Sequence, residues 1–113
     1  MHEMSLCESI LQIVEAEAAR EPFMRVTWLQ LEIGALAGVE IDALRFCFEA
    51  VAPNTILAGA ELDIVEPPGE ARCVPCDKTV LLTDRYSCCP HCGAYGLQVT
   101  GGDQMRIKAM EVE

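Results

Sequence analysis

The sequence predicts an α/β (α+β) fold: two helices packed on a small three-stranded mixed sheet, with a zinc-ribbon-like domain inserted between the second and third strands. Three observations support this prediction. Apolar residues recur at helical spacing in two segments and alternate in three others. Two Cys-x-x-Cys pairs follow the second alternating segment. Clusters of proline and glycine flank the cysteine-rich stretch, as expected of an insertion.

The first helix is predicted over residues 4–20. Ser5 and early acidic residues favour a helix N-terminus there, and Glu21-Pro22 ends the helix because the residue before a proline avoids helical geometry. The apolar stripe of this helix consists of Cys7, Ile10, Leu11, Val14 and Ala18. We therefore expect this face to pack against a core, with Cys7 acting as a small buried apolar residue.

A strand and a second helix follow. Residues 25–33 alternate between apolar and more polar side chains, which predicts a strand, and 34–38 form a loop. Residues 42–51 have helical periodicity, and Pro53-Asn54 ends the helix. The predicted core residues are Leu29, Leu31 and Ile33 on the strand, with Leu44, Phe48 and Val51 on the helix. Cys47 is expected to be a second buried thiol.

The remaining strands of the sheet are predicted over 60–66 and 105–112. Between them, Glu66-Pro67-Pro68-Gly69-Glu70 and Gly101-Gly102-Asp103 interrupt the pattern. We therefore predict an α/β domain made of residues 1–66 and 103–113. A second domain, residues 67–102, is inserted into it and joined by flexible or turn-rich hinges.

The inserted domain carries Cys73-x-x-Cys76 and Cys89-x-x-Cys92, separated by twelve residues. Two such turns can place four thiolates around one Zn(II) in a closed structural site, which would supply folding free energy to a stretch with few large apolar residues. Gly93 suits the left-handed position after the second pair, and Asp77 can adopt that conformation after the first.

Two alternatives to this ligand set remain open. The paired cysteines could form a redox-active dithiol, although the strand–helix setting that lowers a thiol pKa is missing. Cys88 could also replace Cys89, which would change the spacing of the second pair. We favour Cys89 as the ligand. His91, between the two cysteines of that pair, is expected to be exposed at the tip of the turn rather than to bind metal.

Charge and composition exclude several classes of protein. The formal net charge is −10, from 18 acidic and 8 basic side chains, and no Lys/Arg cluster suits a nucleic acid. No secretory signal or apolar run of membrane-spanning length is present. Seven cysteines in such a chain favour metal ligation in the reducing cytoplasm over a disulfide framework. We find no phosphate-binding loop, and no catalytic triad or carboxylate pair that can be placed.

The chain begins Met1-His2-Glu3. A free α-amine, the deprotonated backbone nitrogen of His2 and its imidazole can form fused chelate rings on one ion. Such nitrogen-rich tetragonal sites suit Ni(II) or Cu(II) better than Zn(II). By itself, a histidine at position 2 is more often part of a solvated, frayed terminus.

Taken together, these features resemble the HypA/HybF family of nickel metallochaperones in [NiFe]-hydrogenase maturation. The matching segments are Met1-His2-Glu3, Leu31-Glu32-Ile33-Gly34 with Gly38-Val39, Leu44-Arg45-Phe46-Cys47-Phe48-Glu49, Cys73-x-x-Cys76 and Cys89-Pro90-His91-Cys92-Gly93. Two positions depart from the pattern: Cys88 beside the second pair, and Asp77, where the first knuckle often carries glycine.

The resemblance implies a protein that is not an enzyme, with a site for Ni(II) as transient cargo and a structural Zn(II) site. It implies that His2 is a nickel ligand, that the Met1 amine and nearby backbone nitrogens complete the set, and that Glu3 is a conditional ligand or an orienting neighbour. It assigns zinc to Cys73, Cys76, Cys89 and Cys92.

The implied partners are a HypB-type GTPase and the [NiFe]-hydrogenase large-subunit precursor, with urease maturation proteins for some members. A homodimer is one further assembly to consider. Two other functional hypotheses compete with this one. The first is a zinc-ribbon module that binds protein or nucleic acid, and the acidic net charge counts against nucleic acid as its partner. The second is a zinc-stabilised thiol redox sensor.

Overall fold

The computed structural model describes residues 2–113. The elements are α1 (Glu3–Arg20), β1 (Val26–Ile33), α2 (Ile41–Val51), β2 (Glu61–Val65), β3 (Gly69–Cys73), β4 (Lys78–Leu82), β5 (Gln98–Gly101) and β6 (Met105–Val112). Both helices and the three strands predicted for the α/β part are present, with ends within one residue of the prediction. The predicted fold class is thus confirmed. No helix among residues 2–113 is both long and apolar enough to cross a membrane.

Strand β1 lies at the centre of a three-stranded sheet with the order β2-β1-β6. Beside the start of β1, Arg25 and Glu113 exchange both of their backbone hydrogen bonds, with N···O distances of 3.3 and 2.9 Å, and the Thr27 hydroxyl donates to the Glu111 carbonyl. This register makes β6 antiparallel to β1. The last residues of the chain therefore complete the sheet that the first strand begins.

Alternation in β1 separates a buried face from a half-buried one. Leu29, Leu31 and Ile33 are at most 1% exposed, as predicted from their spacing. The buried residues of the two helices are Leu6, Cys7, Ile10 and Val14 on α1 and Leu44 and Phe48 on α2. Complete burial of each large aliphatic side chain contributes about 1.5–3 kcal/mol. Val51, predicted to be in the core, is only half-buried because it lies in the last turn of α2.

The chain forms two compact units. The first comprises the residues up to Leu31, together with Val39–Ile64 and Ile107–Glu113; the second comprises Glu32–Gly38 and Val65–Arg106. The loop before α2 thus groups with the cysteine-bearing segment, although the two are separated in sequence by α2 and β2.

The second unit is built on another three-stranded sheet, with the order β4-β3-β5. Both pairings are antiparallel, and a bulge between Glu70 and Ala71 interrupts the β3–β5 register. Its core consists of Leu36, Ala71, Cys73, Val80, Leu82 and Cys89, with Cys76, Ala94, Leu97 and Val99 packed around them. Leu36 comes from the early loop, so this apolar cluster is larger than the cysteine-rich sequence alone suggested.

Three segments meet by backbone hydrogen bonds at the base of the second unit. The N–H groups of Gly34, Ala35 and Leu36 donate to the carbonyls of Gln104, Pro67 and Gly102 at 2.8, 2.9 and 2.7 Å. The two segments predicted as flexible or turn-rich hinges are held here by hydrogen bonds from loop 34–36. Gly69 and Gly101 belong to strands. The N–H groups of loop 34–36 donate hydrogen bonds to carbonyls at both ends of the inserted segment.

Gly102 allows this close approach. Its φ of +77° favours glycine, and a Cβ at this position would overlap the Pro68 carbonyl and the backbone of Gly69. Gly96 has a similar φ of +74°, but its Cβ would meet nothing within 4 Å. The two glycines therefore share the conformational requirement and differ in packing.

We predict that Gly102→Ala destabilises the protein by about 1–3 kcal/mol more than Gly96→Ala, because only the first adds overlap to the left-handed backbone cost. Chemical denaturation of metal-loaded protein, followed by tryptophan fluorescence and amide NMR, measures both losses. Equal losses for the two variants would show that the three-segment junction is loosely packed.

Candidate metal centre

The first cysteine pair lies on the turn between β3 and β4. Cys73 is the last residue of β3, and the Asp77 N–H donates to the Val74 carbonyl at 3.3 Å. Asp77 has a φ of +56°, the left-handed conformation predicted for it, and its carboxylate pairs with Arg72 on β3. This turn directs Cys73 and Cys76 towards one point.

The second pair lies on a tight turn that starts at Cys89. The Gly93 N–H donates to the Cys89 carbonyl and the Cys89 N–H to the Ala94 carbonyl, both at 2.8 Å. Gly93 has a φ of +76°, in agreement with its predicted left-handed role. The His91 N–H lies 3.4 Å from the Cys89 sulfur and donates to it. The turn thus stabilises negative charge on that sulfur.

The sulfur atoms of Cys73, Cys76, Cys89 and Cys92 all lie within 4.8 Å of one another. The closest separations are 3.5 Å between Cys73 and Cys92 and 3.7 Å between Cys76 and Cys89. Each distance separates a sulfur of the first turn from a sulfur of the second. A tetrahedral ion bound at about 2.3 Å from each sulfur would hold the sulfurs about 3.8 Å apart. The arrangement therefore fits a single four-coordinate metal ion.

Cys88 does not belong to this group. Its side chain is exposed, whereas Cys89 is 1% exposed and lies in the core of the second unit. Two backbone hydrogen bonds, with Ala94 and Gly93, hold Cys89 in the turn. The geometry thus favours the register with Cys89. His91 is exposed, as predicted for the tip of the turn.

Four neighbouring thiols cannot all ionise readily without a cation. Loss of solvent, together with hydrogen bonds that the Cys76 thiol donates to the other three sulfurs, raises the pKa of Cys76 to about 12. Loss of solvent also opposes ionisation of Cys89, but the backbone N–H groups of Cys92 and His91 and the neighbouring thiols lower its pKa to about 6. A divalent ion would stabilise all four thiolates together, so metal binding and deprotonation are coupled.

The second predicted metal-binding position is the start of α1. His2 is the N-cap residue of this helix, with φ −83° and ψ 110°, and its exposed side chain makes no capping hydrogen bond. The first helical hydrogen bond runs from the Leu6 N–H to the His2 carbonyl at 3.1 Å. A shallow depression of about 350 Å³ lies beside it, lined by His2, Ser5, Leu6 and Ser9. Met1, the other predicted ligand, lies outside the described residues.

The helix leaves the backbone nitrogens near His2 unused. The first N–H groups of any α-helix have no carbonyl partner within the helix. In α1, the first N–H group with such a partner is that of Leu6. The nitrogens of His2 and Glu3 could therefore bind a metal ion without breaking a helical hydrogen bond, and binding at Glu3 would replace only the bond from its N–H to its own carboxylate.

The Glu3 carboxylate has a structural contact that the sequence analysis did not anticipate. One of its oxygens accepts a hydrogen bond of 3.1 Å from the backbone N–H of Glu40, the N-cap residue of α2. This bond, followed by one from its own N–H, lowers the pKa of Glu3. The contact joins the start of α1 to the start of α2 and, by lowering the pKa of Glu3, extends its ionised form to lower pH.

Fold and site together define a small metal-binding protein with a four-cysteine centre and an exposed histidine at its N-terminus. Residues 1–112 match the family described as hydrogenase/urease nickel incorporation, metallochaperone, HypA, and the chain belongs to this family. The family comprises metallochaperones and maturation factors rather than catalysts.

The similarity extends over complete chains. The chain is 56% identical to hydrogenase maturation factor HypA 2 of Bradyrhizobium diazoefficiens and 54% identical to hydrogenase maturation factor HypA of Alkalilimnicola ehrlichii, in each case over 100% of both proteins. Its fold is similar to the solution structure of the Ni metallochaperone HypA from Helicobacter pylori. The TM-score is 0.69 at 24% identity, over 99% of this chain and 97% of the other.

We predict that Cys89→Ser lowers the amount of tightly bound metal well below one ion per chain, whereas Cys88→Ser leaves it unchanged. The reason is that only the Cys89 sulfur lies within 4.8 Å of the other three ligands. Elemental analysis of the purified variants measures the metal content, and amide NMR reports the order of the second unit. Loss of metal in Cys88→Ser together with retention in Cys89→Ser would reverse the assigned register.

Proposed function

We propose that this chain binds Ni(II) at its N-terminus and delivers it to the [NiFe]-hydrogenase large-subunit precursor during maturation. The observation that carries the proposal is the exposed His2 imidazole at the N-cap of α1, beside backbone nitrogens that the helix does not use. Family membership supports the choice of nickel as cargo.

In the proposed site, the His2 imidazole and the His2 backbone nitrogen bind the ion together with the Met1 amine. A set of amine, deprotonated amide and imidazole nitrogens suits the tetragonal preference of Ni(II). Both the amine and the amide must lose protons, and binding therefore strengthens as the pH rises. The N-terminal end of a helix disfavours added positive charge, and a deprotonated amide compensates for this locally.

We assign Glu3 the role of an orienting neighbour in the state described by the structure. Its hydrogen bond from the Glu40 N–H fixes the first turn of α1, which positions the His2 and Glu3 nitrogens. The second carboxylate oxygen remains a conditional ligand, consistent with a site that exchanges its ligands during transfer.

For the four-cysteine centre, we propose structural Zn(II) bound by Cys73, Cys76, Cys89 and Cys92. The four sulfur ligands suit zinc, and a closed site leaves no position for exchange. We accordingly assign nickel binding to the α/β domain of residues 1–66 and 103–113, and zinc binding to the inserted domain of residues 67–102.

We propose that the chain acts in the cytoplasm, where thiols remain reduced and available to zinc, and that it catalyses no reaction of its own. The sequence has no Gly-x-x-x-x-Gly-Lys-Ser/Thr loop, so a nucleotide-driven step would come from a partner, which we propose is a HypB-type GTPase. Delivery to urease maturation proteins would use the same terminal site.

We predict that His2→Ala abolishes stoichiometric Ni(II) binding, because it removes the one imidazole of the proposed site. His91→Ala is the matched control, since His91 is the only other histidine in the sequence. Isothermal titration of untagged protein with Ni(II) measures the stoichiometry, and zinc content and circular dichroism check that fold and cysteine centre are retained.

An added residue before Met1 should have the same effect as His2→Ala, because it moves the free amine away from the chelate. Retention of full nickel affinity in both variants would exclude the terminal chelate. Loss of nickel in His91→Ala alone would relocate the site to the second cysteine turn.

A further inference from the structure

The four cysteines of the metal centre differ in their access to solvent. Cys73 and Cys89 are 0% and 1% exposed and belong to the core of the second unit. Cys76 is half-buried and packs against that core, whereas Cys92 is exposed. A reagent arriving from solvent therefore reaches the Cys92 side chain before those of the other three ligands.

The turn that carries Cys92 adds to this exposure. Residues 90–93 are all exposed. A Cβ placed on Gly93 would meet no atom within 4 Å, so the space beside this end of the turn is open. Of the four ligands, Cys92 is thus the one that the fold protects least.

A second sulfur lies within reach of Cys92. Its Sγ atom is 3.5 Å from the Sγ atom of Cys73, the last residue of β3. The Sγ atoms of the other two ligands, Cys76 and Cys89, are 3.7 Å apart. Sulfurs this close can form a disulfide, with a bond of about 2.05 Å, after a small shift of the exposed turn. Each pair joins a buried cysteine to a more accessible one on the opposite turn.

Exposure and a neighbouring sulfur are the properties of cysteines that react reversibly with peroxides. The reaction begins at a thiolate, which is also the form that binds a metal ion. Metal ligation would therefore keep the Cys92 sulfur in its reactive form. Cys88 is exposed as well, but it lies outside the sulfur cluster and lacks a cation that would favour its thiolate.

We propose that Cys92 is the residue at which a peroxide oxidises the cysteine centre, and that Cys73 converts the product into a disulfide. The proposal rests on the four-cysteine zinc site proposed above. The Cys92 thiolate attacks one peroxide oxygen, the O–O bond breaks, and hydroxide leaves as the sulfenic acid forms. The Cys73 thiolate then attacks the Cys92 sulfur, the S–O bond breaks, and a second hydroxide leaves. Two thiolates, one peroxide and two protons thus give one disulfide and two waters.

This disulfide removes two of the four zinc ligands. A structural zinc site holds its ion with four ligands, so the remaining pair, Cys76 and Cys89, releases Zn(II). A second peroxide then joins this pair, whose sulfurs lie 3.7 Å apart. Both disulfides connect one turn to the other and replace part of the constraint that the ion supplies. The centre is therefore a peroxide-sensitive switch that a thiol reductant and Zn(II) reset.

The test adds hydrogen peroxide in increments to the untagged, zinc-loaded protein. A chromogenic chelator measures released zinc, and tandem mass spectrometry after alkylation of the remaining thiols locates the disulfides. We expect the Cys73–Cys92 disulfide to form first and in proportion to released zinc, while buried Cys7 stays unmodified. Cys88→Ser, which removes an exposed thiol outside the cluster, should release zinc within about twofold of the wild-type rate.

Cys92→His and Cys76→His form a matched pair, because each replaces one sulfur ligand by an imidazole and keeps four zinc ligands. Cys92→His removes the exposed thiolate and should release zinc about tenfold more slowly than wild type. Cys76→His retains both Cys92 and Cys73 and should stay within about threefold of the wild-type rate. Zinc content and amide NMR check that both variants are loaded and folded.

The proposal is overturned if the first disulfide joins two cysteines of one turn or includes Cys88, or if zinc remains bound after the disulfide forms. Equal rates of zinc release in the two histidine variants would overturn it as well. The disulfide map of the wild-type protein decides the question even where a histidine variant does not fold. If the purified wild-type protein binds no zinc, the zinc site itself fails, which is a separate result.

Discussion

The second unit depends on a constraint of charge: four cysteine sulfurs lie within 4.8 Å of one another, and they cannot all be anionic without a cation between them. The turns that carry them have the features needed to bring the sulfurs together. Asp77 and Gly93 take left-handed backbone conformations, and the His91 N–H of the second turn donates to the Cys89 sulfur. Because Cys73 and Cys89 also belong to the apolar core, a metal ion bound by the four sulfurs would stabilise the fold of this unit.

The proposed N-terminal site follows a different physical principle. Little of the protein surrounds His2, whose side chain is exposed at the start of α1. The structure supplies backbone nitrogens that the helix leaves free and a first turn held by the bond between Glu3 and Glu40. An exposed site of this kind suits an ion that has to be released, whereas the four-sulfur centre suits an ion that is retained.

Periodicity and motif spacing predicted much of this architecture. The alternation of Leu29, Leu31 and Ile33 identified the buried face of β1, and the spacing of the cysteines predicted the two turns that meet. These are local patterns, in which each residue's position follows from the geometry of its own element. The conformations of Asp77 and Gly93 were predictable for the same reason.

Contacts between distant parts of the chain were not predictable in this way. Leu36 joins the core of the second unit from a loop, and Gly102 lies close to Pro68 and Gly69. The acceptor role of the Glu3 carboxylate depends on where α2 begins. This role has no signal in the local sequence, because it depends on the assembled fold.

The central claim is that two metals are held by two chemically different sites of one chain. X-ray absorption at the nickel and zinc edges of untagged protein loaded with one equivalent of each metal tests it most directly. We expect nickel to be surrounded by nitrogen and oxygen ligands, with imidazole scattering and no sulfur, and zinc by four sulfurs at about 2.3 Å. Nickel–sulfur scattering, or zinc with fewer than four sulfur ligands, would contradict it.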